Sequence, residues 1–300
     1  MSSTSLDNCI RYTNPDEHEL SMTFSFHHLK VDYKDGNKWE LQAPDLARLK
    51  ELLTVWQMEM QAANGWNAVF WCNHDQPRAV SRFGDDQRYW KESAKMLATC
   101  IHLLRGTPYI FQGEELGITN AGYTSIGQYR DVESLNYYQI MLQSGKTETD
   151  ALEILRQRSR DNGRTPMQWN ASQNAGFTSG TPWITSPENY RTINAEAEMQ
   201  DPDSILHYYK KLVRLRKELP VISDGQIDFL CKDCPEVFAY RRFLDRDELL
   251  VFNNLTGKEV ALDTPRITDC KKVIGNYADV LIKEGQLILR PYESIVYRKK

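Results

Sequence analysis

Two acid-bearing clusters are notable because each directly follows a short apolar run. His74-Asp75 comes after NAVFWC (67–72), and Glu114-Glu115 after YIFQ (109–112). An aspartate at the first place could act as base or nucleophile, or accept hydrogen bonds from sugar hydroxyls, while the histidine could donate to one. Capping of the strand end is an equally good reading of that pair. Two suitably placed carboxylates make a glycosidase, so Asp75 could be paired with Glu114 or Glu115. Loop bracing is the safer reading of the glutamates. His27-His28-Leu29-Lys30 offers up to three cationic donors for an anionic group such as a phosphate, the alternative being a solvated charged face. Trp71, Phe83, Trp169, Phe177 and Trp183 suit stacking on sugar rings, although core packing is the commoner fate of such residues. Cys231 and Cys234 form one C-x-x-C, without the second pair of a zinc ribbon or the βαβ setting of a thioredoxin-like site. With no Walker loop, G-x-G-x-x-G or H-E-x-x-H motif, neither metal nor cofactor is expected.

The elements around these clusters alternate. MTFSFHHL (22–29), NAVFWC and YIFQ read as strands, and helical patterns occupy about 44–63 and 86–105 between them. Strand, helix, strand, helix, strand argues for parallel βα units, whose sites lie at the carboxyl ends of the strands. Helices at about 131–144 and 148–160 precede a Gly/Asn/Thr/Pro-rich loop, and a helix at 203–219 ends at Pro220. Beyond it VFAYRRF, ELLVFNNL, KKVIGNY, QLILRP and SIVYRK read as a small antiparallel β domain. The expected division is 1–222 and 223–300.

Composition narrows the class. Thirty-seven Lys and Arg against 41 Asp and Glu give a formal charge of −4, with no chain-wide attraction to nucleic acid or anionic membrane. No apolar run approaches the ~20 residues of a membrane span, and the first residues lack the basic and apolar regions of a signal peptide. Six sparse cysteines then fit reduced thiols in the cytoplasm. With 41% apolar residues, the chain can bury a sizeable core.

Longer stretches carry a family resemblance. FWCNHDQPRAVSRFG (70–84) resembles the fourth conserved region of the α-amylase family of glycoside hydrolases. YIFQGEELGITN (109–120) is similar to that family's eighth barrel strand, and RDNGRTPMQWN (160–170) to the motif of its α-glucosidase branch. MSSTSL (1–6), SMTFSFHHLKVDY (21–33) and YRDVESLN (129–136) resemble the members that cleave trehalose 6-phosphate, with oligo-1,6-glucosidases the runner-up. The resemblance implies the C-terminal part of a TIM (β/α)₈ barrel, about strands 6–8, followed by the β domain.

It also implies a retaining hydrolysis of trehalose 6-phosphate to glucose and glucose 6-phosphate. Asp75 would stabilise the transition state by binding ring hydroxyls, His74 would bond the same sugar, and Arg164 would fix the non-reducing glucose. His27, His28 and Lys30 would hold the 6-phosphate. By the same resemblance, the proton donor would immediately precede Met1, and the nucleophile and first five strands would lie upstream. These 300 residues are therefore expected to be inactive alone and to need the missing barrel half. Open sheet edges would make them prone to aggregation. An α-glucosidase acting on unphosphorylated sugars is the alternative enzyme, and a non-catalytic amylase-like scaffold the alternative class.

Overall fold

A serine opens the first helix: Ser5 Oγ accepts the Asn8 amide at 3.3 Å, and α1 (Leu6–Thr13) follows. The computed structural model describes residues 4–263, 267 and 269–299, so Met1, Ser2 and Ser3 of the first motif lie outside the described residues. The sequence reading missed α1, which buries only Cys9 and Thr13.

Three parallel strands follow: β1 (Thr23–Phe24), β2 (Asn67–Val69) and β3 (Thr107–Pro108), side by side in that order. Thr23 pairs with Asn67, and Ala68 with Thr107. Parallel neighbours need a long crossover. It is supplied first by α2 (Leu46–Ala62), then by α3 (Ala79–Phe83) with α4 (Trp90–His102). Asp45 caps α2 by accepting the Arg48 amide at 2.9 Å.

All three strands are shorter than the runs expected to form them, β2 ending at Val69 rather than Cys72. The first leaves the sheet after Phe24 and turns into a 3-10 helix at His27–Lys30. There the His28 ring bonds the Phe70 carbonyl at 2.9 Å, so a side chain satisfies an acceptor that a longer ladder would have used. The third lies at Thr107–Pro108, just before YIFQ, which is not itself a strand; Tyr109 adds one further amide bond to the Val69 carbonyl at 2.8 Å.

α5 (Val132–Gln143) and α6 (Glu148–Arg158) precede the long loop, which is built from 3-10 turns at Arg160–Arg164, Gln173–Gly176 and Glu188–Arg191. α7 (Ala195–Gln200), α8 (Ile205–Glu218) and α9 (Pro220–Ser223) lead into the antiparallel part. That part comprises β4 (Gln226–Leu230), β5 (Val237–Leu244), β6 (Asp247–Asn254), β7 (Val260–Leu262), β8 (Lys271–Gly275), β9 (Leu281–Lys283), β10 (Gln286–Leu289) and β11 (Ser294–Lys299). One sheet runs β4-β5-β6-β11-β8 and a smaller one β7-β10-β9. β4, β7 and β9, all at sheet edges, were not read from sequence; β7 and β9 are only three residues long, whereas β4 alternates and was overlooked.

The period of two along β5 joins the molecule together. Val237 and Ala239 belong to the cluster between the two sheets, whereas Phe238 and Tyr240 belong to the one that includes Leu97 and Ile101 of α4 and Leu212 of α8, Tyr240 donating to the Cys100 carbonyl at 3.0 Å. Arg242, fully buried, donates to the carbonyls of Leu103 at 2.8 Å and Gly225 at 2.5 Å. Among the described residues, no helix is long and apolar enough to cross a membrane.

Candidate active site

The loop after β2 is shaped by its own side chains. Asn73 Oδ1 accepts the Asp75 amide at 2.8 Å, a turn that presents His74 and Asp75 to solvent at the carboxyl end of the strand. Behind them Arg78, 2% exposed, works as a hub. It donates to the carbonyls of Gln112 at 2.6 Å and Asn162 at 2.9 Å and to the Thr165 hydroxyl at 3.0 Å, welding the ends of β2 and β3 to the long loop. Gly163 completes the weld. A Cβ there would lie 2.7 Å from the Gln76 carbonyl and 2.9 Å from that of Asn73.

This close approach brings Arg164 over the loop. Its Nε donates to the His74 carbonyl at 2.9 Å, its Nη2 to Asp75 Oδ1 at 2.8 Å, and its Nη1 to Asp131 Oδ1 at 3.2 Å. His74 Nε2 lies 3.4 Å from Asp75 Oδ2. Asp131 is buried at the start of α5, capping that helix through the Ser134 amide at 3.1 Å and taking Arg160 Nη2 at 2.7 Å. Burial pushes its carboxyl up, but the Arg160 and Ser134 hydrogen bonds outweigh that and hold it below its usual value. Asp161 fixes the main chain beneath by accepting the amides of Arg130 and Asp131 at 2.7 and 3.0 Å. Glu133 extends the network to Arg160 at 3.2 Å and to Lys38 at 2.8 Å.

The structure therefore gathers Asp75, His74 and Arg164, and leaves Asp75 (44% exposed) and His74 (71%) open to a ligand. Arg164 occupies one Asp75 oxygen; the other faces His74 and solvent. Such an array can accept sugar hydroxyls on a carboxylate of fixed orientation.

His27, His28 and Lys30 are arranged differently from the expected cationic clamp. His27 spends Nε2 on the Thr4 carbonyl at 3.1 Å and stacks on Trp56. His28 is buried against Phe70 and Trp71, and desolvation lowers its pKa to about 4. It is uncharged at neutral pH, which corrects its reading as a cation. Lys30 is the exposed cation of the three.

Glu114 braces the fold by holding Tyr209 of α8. Glu114 is buried, accepts the Tyr209 hydroxyl at 2.9 Å and, chiefly through desolvation, has its pKa raised to about 8. Burial also raises Glu115. Pairing either with Asp75 as a catalytic couple is therefore set aside. Of the aromatics, Trp71 and Phe83 are core residues, whereas Trp169, Phe177 and Trp183 are exposed on the long loop.

Sequence reasoning missed Arg78, Asp131, Arg160 and Asp161. All four stand in the stretches FWCNHDQPRAVSRFG, YRDVESLN and RDNGRTP, so the motifs themselves carried the signal. It also missed Asp32, held between Arg82 (2.8 Å) and Arg158, which ties the segment after His28 to α3 and α6. Burial raises the Asp32 carboxyl, but the two guanidiniums outweigh it and hold it low.

Comparisons with known proteins bear on the family and the overall fold. Residues 1–225 match the alpha-amylase catalytic domain, and residues 237–296 the alpha-amylase SusG C-terminal domain. Over 99% of its length the chain is 54% identical to the trehalose-6-phosphate hydrolase of Bacillus subtilis, covering 54% of that protein. It is 44% identical over 96% of its length to a probable oligo-1,6-glucosidase of the same organism, covering 52% of it. The crystal structure of Bacillus licheniformis trehalose-6-phosphate hydrolase aligns with a TM-score of 0.96 at 54% identity, over 99% of this chain and 55% of that one. The chain spans about half the length of the curated relatives it matches.

Proposed function

Because the chain belongs to the α-amylase family of glycoside hydrolases, we propose that it forms the carboxyl-terminal part of a retaining glucosidase that cleaves trehalose 6-phosphate in the cytoplasm. Residues 1–222 contribute about strands 6–8 of a (β/α)₈ barrel, and 223–300 its β domain. The Arg164–Asp75 ion pair at 2.8 Å, open to solvent at the strand ends, carries this reading.

Asp75 binds two ring hydroxyls of the glucosyl unit and favours its distortion toward the oxocarbenium-like transition state. Arg164 fixes that carboxylate and His74 donates to the same sugar. In this reading the nucleophilic aspartate and the proton-donating glutamate, about 5 Å apart across the bond, are supplied by the part of the relatives that the chain, spanning about half their length, does not match.

A second reading, an oligo-1,6-glucosidase, is supported by 44% identity to one such relative. A 6-phosphate requirement separates the two. The chain joined in one polypeptide to the part of the B. subtilis hydrolase it does not match should hydrolyse trehalose 6-phosphate and spare isomaltose. Preference for isomaltose would establish the second reading.

A further inference from the structure

Cys231 and Cys234 stand away from the site, in the connection from β4 to β5. The Cys234 amide donates to the Cys231 carbonyl at 3.2 Å, closing the turn Cys231-Lys232-Asp233-Cys234. Such a turn brings its first and fourth Cα atoms to within about 7 Å, and disulfides span about 4.4–6.8 Å between Cα atoms. Both side chains pack against the same apolar cluster between the two sheets, which includes Val237, Leu250 and Leu289. Both thus reach one cluster from the two ends of a single turn, and Cys234 Sγ also donates to Glu236 Oε2 at 3.5 Å. Lys50 of α2, its amine carried in from a largely buried side chain, donates to the carbonyls of both cysteines, to Cys231 at 3.2 Å. That double contact pins the two ends of the turn.

We infer that Cys231 and Cys234 are a dithiol modification site that closes to an intramolecular disulfide by exchange with a small-molecule disulfide such as oxidised glutathione. One cysteine gives its proton to solvent, and its thiolate attacks a sulfur of the small disulfide. An S–S bond forms to the protein, and one glutathione thiolate leaves and is protonated. The second cysteine, likewise deprotonated, attacks the protein-bound sulfur and expels the second glutathione. Two protein thiols are oxidised, and one glutathione disulfide is reduced to two thiols. The absence of a second cysteine pair or a thioredoxin-like setting argued against a redox role in the sequence; the turn and the shared packing are what the structure adds.

The test is incubation of the folded chain with oxidised glutathione at pH 8, chosen because burial raises both thiols. Intact mass and peptide mapping follow, with Cys231→Ser and Cys234→Ser as companions. The expected result is loss of two hydrogens, mapped to a Cys231–Cys234 link and reversed by dithiothreitol. Each single variant should instead hold a persistent glutathione adduct on its remaining partner. A stable glutathione adduct on the unmutated pair, a link to Cys270 from the same apolar cluster, or no mass change would each overturn the inference.

Discussion

Replacing Glu114 by glutamine should change how stability depends on pH. Glu114 is buried, its Oε1 accepts the Tyr209 hydroxyl at 2.9 Å, and its Oε2 has no hydrogen-bond partner among the described residues. Desolvation raises its pKa from 4.5 to about 8. The folded chain thus keeps a proton that the unfolded chain releases above pH 4.5 or so. By linkage, the stability contributed by the protonated carboxyl is fully present below the unfolded pKa. It then declines as pH rises and is gone above the folded pKa. At 1.36 kcal/mol per pKa unit the loss across that window is on the order of 4–5 kcal/mol, an upper figure. Glutamine keeps the acceptor for Tyr209 and cannot ionise, so Glu114→Gln should gain on the parent by up to about 1.4 kcal/mol per pH unit between roughly pH 5 and 8. Urea unfolding followed by tryptophan fluorescence across that range measures the difference. A difference that stays constant, or that grows as pH falls, would refute a protonated, desolvated Glu114.

Other substitutions probe the weld behind Asp75. Asp131→Asn keeps a good helix cap but removes the charge between Arg160 and Arg164; a loss of about 1–3 kcal/mol in urea unfolding is expected. Gly163→Ala places a methyl against the main chain of Asn73 and Gln76 and should cost about 1–3 kcal/mol. Its crystal structure should show the 73–76 loop displaced and the Arg164–Asp75 contact lengthened from 2.8 Å. In the joined polypeptide, Lys30→Ala should raise KM for trehalose 6-phosphate several-fold and leave nitrophenyl glucoside turnover unchanged; equal KM values would remove Lys30 from phosphate recognition.

The alternation of strands and helices and the long antiparallel runs were legible because apolar periodicity reports burial. Helices expected at about 131–144 and 203–219 appear as Val132–Gln143 and Ile205–Glu218. What periodicity cannot show is where a ladder stops. The His28 ring takes the Phe70 carbonyl just past β2, where the first strand's ladder has already ended, and nothing in the apolar pattern marks this. The candidate site was half legible. Asp75, His74 and Arg164 were named from local motifs, and the chain brings them together across 89 positions between Asp75 and Arg164. Arg78, although inside FWCNHDQPRAVSRFG, escaped because burial and bonds to main-chain carbonyls cannot be read from its place in that motif. His28 was misread for the complementary reason: a histidine's charge depends on burial, which a run of basic residues does not reveal.

Glucose release from trehalose 6-phosphate tests the central claim most directly, measured for the 300-residue chain and for the same chain joined to the part of the B. subtilis hydrolase that it does not match. The expected result is no release by the chain alone, release by the joined protein, and loss of that release with Asp75→Asn. Hydrolysis by the chain alone, or a joined protein that turns over equally well without the Asp75 carboxylate, would contradict it.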